Sequence, residues 1–283
     1  MTSTPQAAVN TGASLWVSSL VVAERMVRKF ARTPQLIVFT TVQSALFLLM
    51  FRFAFGGAIG TGGSLSYVNF MVPGFLTTTV LWSGMGAATG VAEDVEHGFV
   101  DRLRSLPIPR AAVLIGRSLA DTALLVWALA VAAILGFAVG FRVTGSVSGA
   151  LAALGLCVVF GFAFEWVFIV IGLVGGTPQA AQSLGLLVTP LVFLSSAYVP
   201  VQSMPSGVRQ FGEIQPLTPM VDAVRALATQ ATKATEATKV TGAAGATEVT
   251  GHGTGYFVGL SLTWAVAIFV VFGLLAVLRF ARR

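Results

Sequence analysis

Charged side chains are scarce in this chain, and seven of them crowd into one stretch, Val91 to Arg110: Glu93, Asp94, Glu96, Asp101, Arg102, Arg104 and Arg110. Phe99, Leu103 and Leu106 follow at i, i+4, i+7, the spacing of one helical face. Gly98 lets the backbone bend or a partner approach closely, and Pro107 and Pro109 end any helix that precedes them. An apolar ridge amid mixed charge is chemistry for recognition. It fits docking into a groove on a partner, and it fits equally an amphipathic loop helix resting on lipid headgroups. Two further acids, Asp121 and Glu165, stand inside long apolar runs, where acids are candidates for function. Arg117 lies four residues before Asp121, a pairing distance on a helix. Glu165 has no partner within its own run, and Gln179, Gln182 or a water-lined interface are the candidates. Catalysis finds no foothold: GxxxxGK[ST], HExxH and GxSxG are missing, and the two histidines, His97 and His252, fall on opposite sides of a membrane in the arrangement below. Cys157 has no second cysteine to pair with, and reads as a buried, inert residue.

The elements that hold these residues are apolar helices. Of 283 residues, 55% are hydrophobic and 10% charged, too few charges to coat a soluble surface, where about 25% is usual. Mean hydropathy is +0.86. Disordered, collagenous and disulfide-scaffold classes are excluded, and an all-α polytopic membrane protein is expected. Six segments reach the roughly 20 apolar residues of a spanning helix: Leu36–Ala58, Met71–Ala92, Ala111–Val139, Gly149–Val174, Ala180–Val199 and Tyr256–Leu278. The alternation of a membrane β-barrel is absent.

Positive charge sets the orientation. With the N-terminus in the cytoplasm, the inside segments hold Arg25, Arg28, Lys29, Arg32, Arg102, Arg104, Arg110, Arg117, Arg279, Arg282 and Arg283. The outside holds Arg52, Arg142, Arg209, Arg225, Lys233 and Lys239. Both termini are therefore expected inside, and the 93–110 loop with them. The net charge of +6 then points to anionic lipid and not to nucleic acid.

Residues 1–13 are polar, read as a disordered tail, and lack the pattern of a signal peptide. Residues 14–33 form a basic amphipathic helix. Leu15, Trp16, Leu20, Val22, Met26, Val27 and Phe30 share one half of the wheel. Glu24, Arg25, Arg28, Lys29 and Arg32 share the other, with Val17 and Val21 as exceptions. Such a helix lies in the membrane interface; the alternative is a helix packed on another element. Residues 34–283 form the six-span domain. Its loop 200–255 is expected outside, with short helices on or dipping into the outer leaflet. The part from 230 to 253 is a low-complexity Ala/Thr/Gly run. Phe47, Phe51, Phe75, Trp82, Phe193 and Tyr198 are candidates to line an outward-facing cavity for a lipophilic substrate.

The run EHGFVDRLRSLPIPRAAVLIGRSLAD resembles the cytoplasmic loop of type-2 ABC exporter permeases, above all those of daunorubicin/doxorubicin-resistance exporters. LFLLMFRFAFGGAI (46–59), SSAYVPVQSMP (195–205), QPLTP (215–219) and VDAVR (221–225) agree with it, whereas the 230–253 insert does not match the pattern. The resemblance implies six spans, an interfacial N-terminal helix and short extracellular helices before the last span. It implies export of a hydrophobic drug-like or lipid substrate across a bacterial cytoplasmic membrane. Two permease copies, or a permease and a related one, would pair with two separate ATPase subunits. Those subunits would bind ATP and magnesium, and this chain would bind no cofactor or metal and have no enzyme activity. The helix over about Glu93–Leu106 would fit the ATPase groove, with Glu96, Gly98, Phe99, Asp101, Arg102, Leu103 and Leu106 at the contact and the basic N-terminal helix as a second contact. Two other classes stay open: a proton-coupled secondary transporter using Glu165 or Asp121, and a non-transport membrane scaffold or enzyme.

Overall fold

The computed structural model describes residues 15–55, 67–98, 110–199, 201–229 and 253–282. All regular elements among them are helical: α1 (Leu15–Ala31), α2 (Pro34–Phe55), α3 (Tyr67–Glu96), α4 (Arg110–Ala138), α5 (Val147–Gly175), α6 (Pro178–Leu186), α7 (Thr189–Phe193), a 3-10 turn at Val201–Ser203, α8 (Ser206–Ile214), α9 (Leu217–Thr229) and α10 (Thr254–Arg282). Among the described residues, three stretches are long and apolar enough to cross a membrane: Leu114–Ala138, Val147–Gly175 and Thr254–Phe280. These match the expected third, fourth and sixth spans. The tail 1–13, Ser14 and the 230–252 run lie outside the described residues.

α5 is the centre of the bundle, with α3, α4, α6, α9 and α10 packed around it. In its most apolar window 61% of residues are buried, against 22% in α10, which leaves α10 as an outer helix. α3 is less apolar and yet deeply buried, because its inward face is small: Gly74, Gly84, Ala87, Ala88 and Ala92 let neighbouring backbones approach. The hydroxyls on this face are satisfied within the helix. Thr77 and Thr79 donate to the carbonyls four residues back, at 3.0 and 2.9 Å, so that burying them leaves no lone donor.

The fifth expected span, Ala180–Val199, is not one helix. α6 stops at Leu186, the chain turns at Leu187–Val188, and α7 is followed by turns to Tyr198. Pro190 is the physical cause. It has no N–H for the Leu186 carbonyl, and its ring crowds that oxygen. The start of α6 has its own signature: Thr177 Oγ1 accepts from the Ala180 N–H at 3.4 Å, with Pro178 in the first turn. The turns after α7 are pressed onto α3. A Cβ on Gly74 would clash with the Ala197 carbonyl, its carbon 2.6 Å away. Gly74→Ala is expected to cost about 1–3 kcal/mol by overpacking, measured as a lower melting temperature in detergent. An unchanged midpoint would show that the turn yields freely.

α1 packs along α4, and its contact face corrects the one read from the wheel. Ser19 and Ala23 are buried, whereas Leu20 is 59% exposed beside Val17 and Val21. Small residues admit a close helix contact, while Met26, Val27 and Phe30 of the expected face are half-buried. Arg25, Arg28 and Arg32 are exposed, and Arg28 pairs with Glu24 at 2.5 Å. Lys29 lies on this helix too, its side chain outside the described set.

Helices α8 and α9 divide in character. α8 is largely exposed, but α9 is buried among α3, α5 and α10. It is not a helix lying on the outer surface. Thr144 Oγ1 donates to the Thr229 carbonyl at 2.7 Å, and Gln215 Nε2 donates to the Leu191 carbonyl at 3.0 Å. These bonds fasten the α9 segment to the α4–α5 turn and to α7. Arg52 caps the far end of α4 by donating to the Val139 carbonyl.

Candidate functional site

Two polar clusters sit at opposite ends of the bundle. The first gathers around Arg117 near the start of α4. Its Nε donates to Asp121 Oδ2 at 2.6 Å and its Nη1 to Asp94 Oδ2 at 2.8 Å. The Asp121 pairing is the one that the four-residue spacing predicts. Asp94 comes from the last turn of α3, 23 residues away in sequence, and no periodicity links the two. One turn deeper, Glu165 on α5 is 4% exposed. It accepts from Ser118 Oγ at 3.2 Å and Thr122 Oγ1 at 3.3 Å, both on α4. Hydroxyls of the neighbouring span therefore hold it, in place of the Gln179 or Gln182 expected from the sequence; those two are exposed on α6. The cluster thus stitches α3, α4 and α5 together with one guanidinium, three carboxylates and two hydroxyls.

The cluster stands at the root of the charged loop. α3 continues through Glu93, Asp94 and Glu96, so these residues end the second span's helix and do not open a separate loop helix. The Gly98 N–H closes on the Val95 carbonyl at 3.1 Å. Gly98 itself sits at φ +63°, the left-handed position that lets a chain leave a helix at little cost to glycine. Glu96 is exposed at this exit. Phe99, Asp101, Arg102, Leu103 and Leu106 lie outside the described residues.

The second cluster fixes α9. Arg225 Nη1 donates to Asp222 Oδ1 at 3.0 Å, and Nη2 donates to the Ser196 carbonyl at 2.8 Å. Ser196 Oγ donates to the same Asp222 oxygen at 2.7 Å. The guanidinium carbon stands 3.9 Å from the centre of the Phe70 ring, a close cation–π contact. Sequence reading places Arg225 among the outside charges and in the VDAVR stretch of the resemblance, without a partner for it. The signal was present: Asp222 and Arg225 at i, i+3 within an amphipathic stretch.

The six aromatic residues expected to line a cavity divide into two groups. Phe51 stacks on Tyr198 at 4.5 Å and on Phe47 at 5.8 Å. Tyr198 is buried and shares a 2.7 Å hydrogen bond with Thr78, and Phe75 is buried as well. These four are packing. Trp82 and Phe193 remain exposed. Cys157 is buried in α5.

Comparison with known proteins places this architecture. The model of the ABC-2 type transporter family matches residues 18–228, which include most of α1, the charged loop and both clusters. The chain is 31% identical over 195 residues to the daunorubicin resistance ABC transporter permease protein DrrB1 of Streptomyces coeruleorubidus, covering 69% of each chain.

Proposed function

The chain belongs to the ABC-2 type transporter family as a multi-pass membrane permease, and we propose that it is the membrane half of an ATP-driven exporter for a hydrophobic small molecule or lipid. The family match carries this reading, since it runs unbroken through the loop and the helices that flank it. Hydrolysis would take place on two separate ATPase subunits, which bind ATP and magnesium. Those subunits would dock on the 93–110 loop, with the exposed basic residues of α1 as a second contact. A second permease copy or a related permease would complete the pore. The setting is a bacterial cytoplasmic membrane, with six passages counting the broken α6–α7 segment and both termini inside. The lipophilic substrate class is supported by exposed Trp82 and Phe193 and by the resistance named for the relative.

The test is purification of the tagged chain from its native membrane in mild detergent. An ATPase subunit is expected to accompany it, and its absence would sink the exporter reading. A reporter tag placed within 230–253 is expected to be labelled from outside intact cells; labelling only after permeabilisation would reverse the topology.

Proton-coupled transport through Glu165 or Asp121 has weaker support, because Asp121 is ion-paired and Glu165 is held by two hydroxyls. An amide oxygen accepts the same two hydrogen bonds. Glu165→Gln is therefore expected to keep export within about two-fold, since neutral hydrogen bonds of this kind each contribute only about 1 kcal/mol. Abolished export with normal ATPase retention would favour the proton carrier.

A further inference from the structure

The two roots of the charged loop are fastened to each other. Asp94 lies on the last turn of α3 and Arg117 about two turns into α4, so their bridge closes the α3–α4 hairpin just inside the loop. Asp94's side chain is 32% exposed and Arg117's 14%, which places the bridge at the boundary between loop and bundle. α3 is shaped for it. Gly90 lies one turn before Asp94, and a Cβ there would run into the guanidinium, with Cζ at 2.9 Å and Nη1 at 3.1 Å. The same helix therefore supplies the space at one position and the acceptor four residues later. On the far side the contact continues: Ser118, next to Arg117, reaches Glu165 on α5. A charge-assisted bond held at both ends has one short, directed geometry. Coupling across a bundle needs a physical contact of this kind between the moving elements.

We propose that Arg117 is a positioning residue for transport, through which a displacement of the 93–110 loop reaches α4 and α5. This rests on the reading that an ATPase subunit moves the loop. A bridge that served only folding would have no part in that motion, and the two roles are separable.

The measurement is the distance between spin labels at Leu46 on α2 and Val174 on α5, both exposed, in a Cys157→Ala background. It is made on the purified permease–ATPase complex, without nucleotide and with ATP plus vanadate. Asp94→Asn removes the charge that makes this bond strong, leaving at most a neutral hydrogen bond, and keeps the Arg117–Asp121 pair. It is expected to retain the ATPase and to lose at least half of the nucleotide-driven shift. Gly90→Ala, which displaces the guanidinium without altering any charge, is expected to act the same way, and Asp94→Glu to restore most of the shift. A full shift in Asp94→Asn would overturn the proposal, as would an unmutated complex that binds ATPase and shows no shift. An unmutated chain that retains no ATPase would instead overturn the exporter reading on which the proposal rests.

Discussion

Arg225→Met should be among the most destabilising single changes in this chain, with a loss of about 2–4 kcal/mol, somewhat below the consequence of breaking one side of a fully buried ion pair because this pair is half-buried. The guanidinium serves four groups at once: the Asp222 carboxylate, the Ser196 and Phe70 carbonyls, and the Phe70 ring. Methionine fills much of the volume and replaces none of the donors. Asp222 would keep the Ser196 hydroxyl, but its side chain, 27% exposed, would lose its cationic partner in a half-buried setting. The measurement is thermal unfolding in detergent, followed by resistance of the α9 segment to limited proteolysis. The double variant Asp222→Leu/Arg225→Met separates charge from packing. Removing both partners leaves no orphaned charge, and replacement of a buried pair by apolar residues is often neutral. The double variant is therefore expected to be more stable than Arg225→Met alone. Equal loss in both would mean that the carbonyl contacts, and not the orphaned carboxylate, dominate.

How much of this was legible in the sequence depends on the range of each interaction. Length and apolar composition fix a single helix locally, and the expected spans Ala111–Val139, Gly149–Val174 and Tyr256–Leu278 lie close to α4, α5 and α10. Arg117 with Asp121 was legible because four residues is one helical turn. Asp94 was not, because its place beside Arg117 depends on how α3 and α4 cross. Glu165 found hydroxyls for the same reason: Ser118 and Thr122 are polar on α4 for a partner that only tertiary packing brings to them. The burial of α9 escaped because its sequence is amphipathic, and an amphipathic helix can lie on a bilayer or turn its polar side into a buried cluster. The break at Leu187–Val188 was signalled by Pro190, but an apolar run of the right length outweighed it. The aromatic set misled in the opposite way, since a ring that packs and a ring that lines a cavity have the same letter.

The second large effect is expected from Phe99→Ala with Leu103→Ala. α3 runs as one helix to Glu96, and Gly98 takes a left-handed conformation just after it. The ridge residues Phe99, Leu103 and Leu106 follow directly in sequence. If that ridge fills an ATPase groove, each truncated anchor costs about 2 kcal/mol, or roughly 30-fold in affinity. Because neighbouring anchors are not additive, the pair should weaken retention of the ATPase by a factor between about 30 and 1,000. Membrane insertion should be unchanged, as neither residue belongs to an apolar span. Co-purification of the ATPase at equal permease abundance is the readout, and undiminished retention would show that the ridge rests on headgroups. Asp94→Asn provides the contrast. It leaves the ridge intact and is expected to hold the ATPase while losing the motion. A loop that grips through its apolar ridge and transmits through its charged root would fail in these two distinct ways. A loop that did only one of them would fail in one.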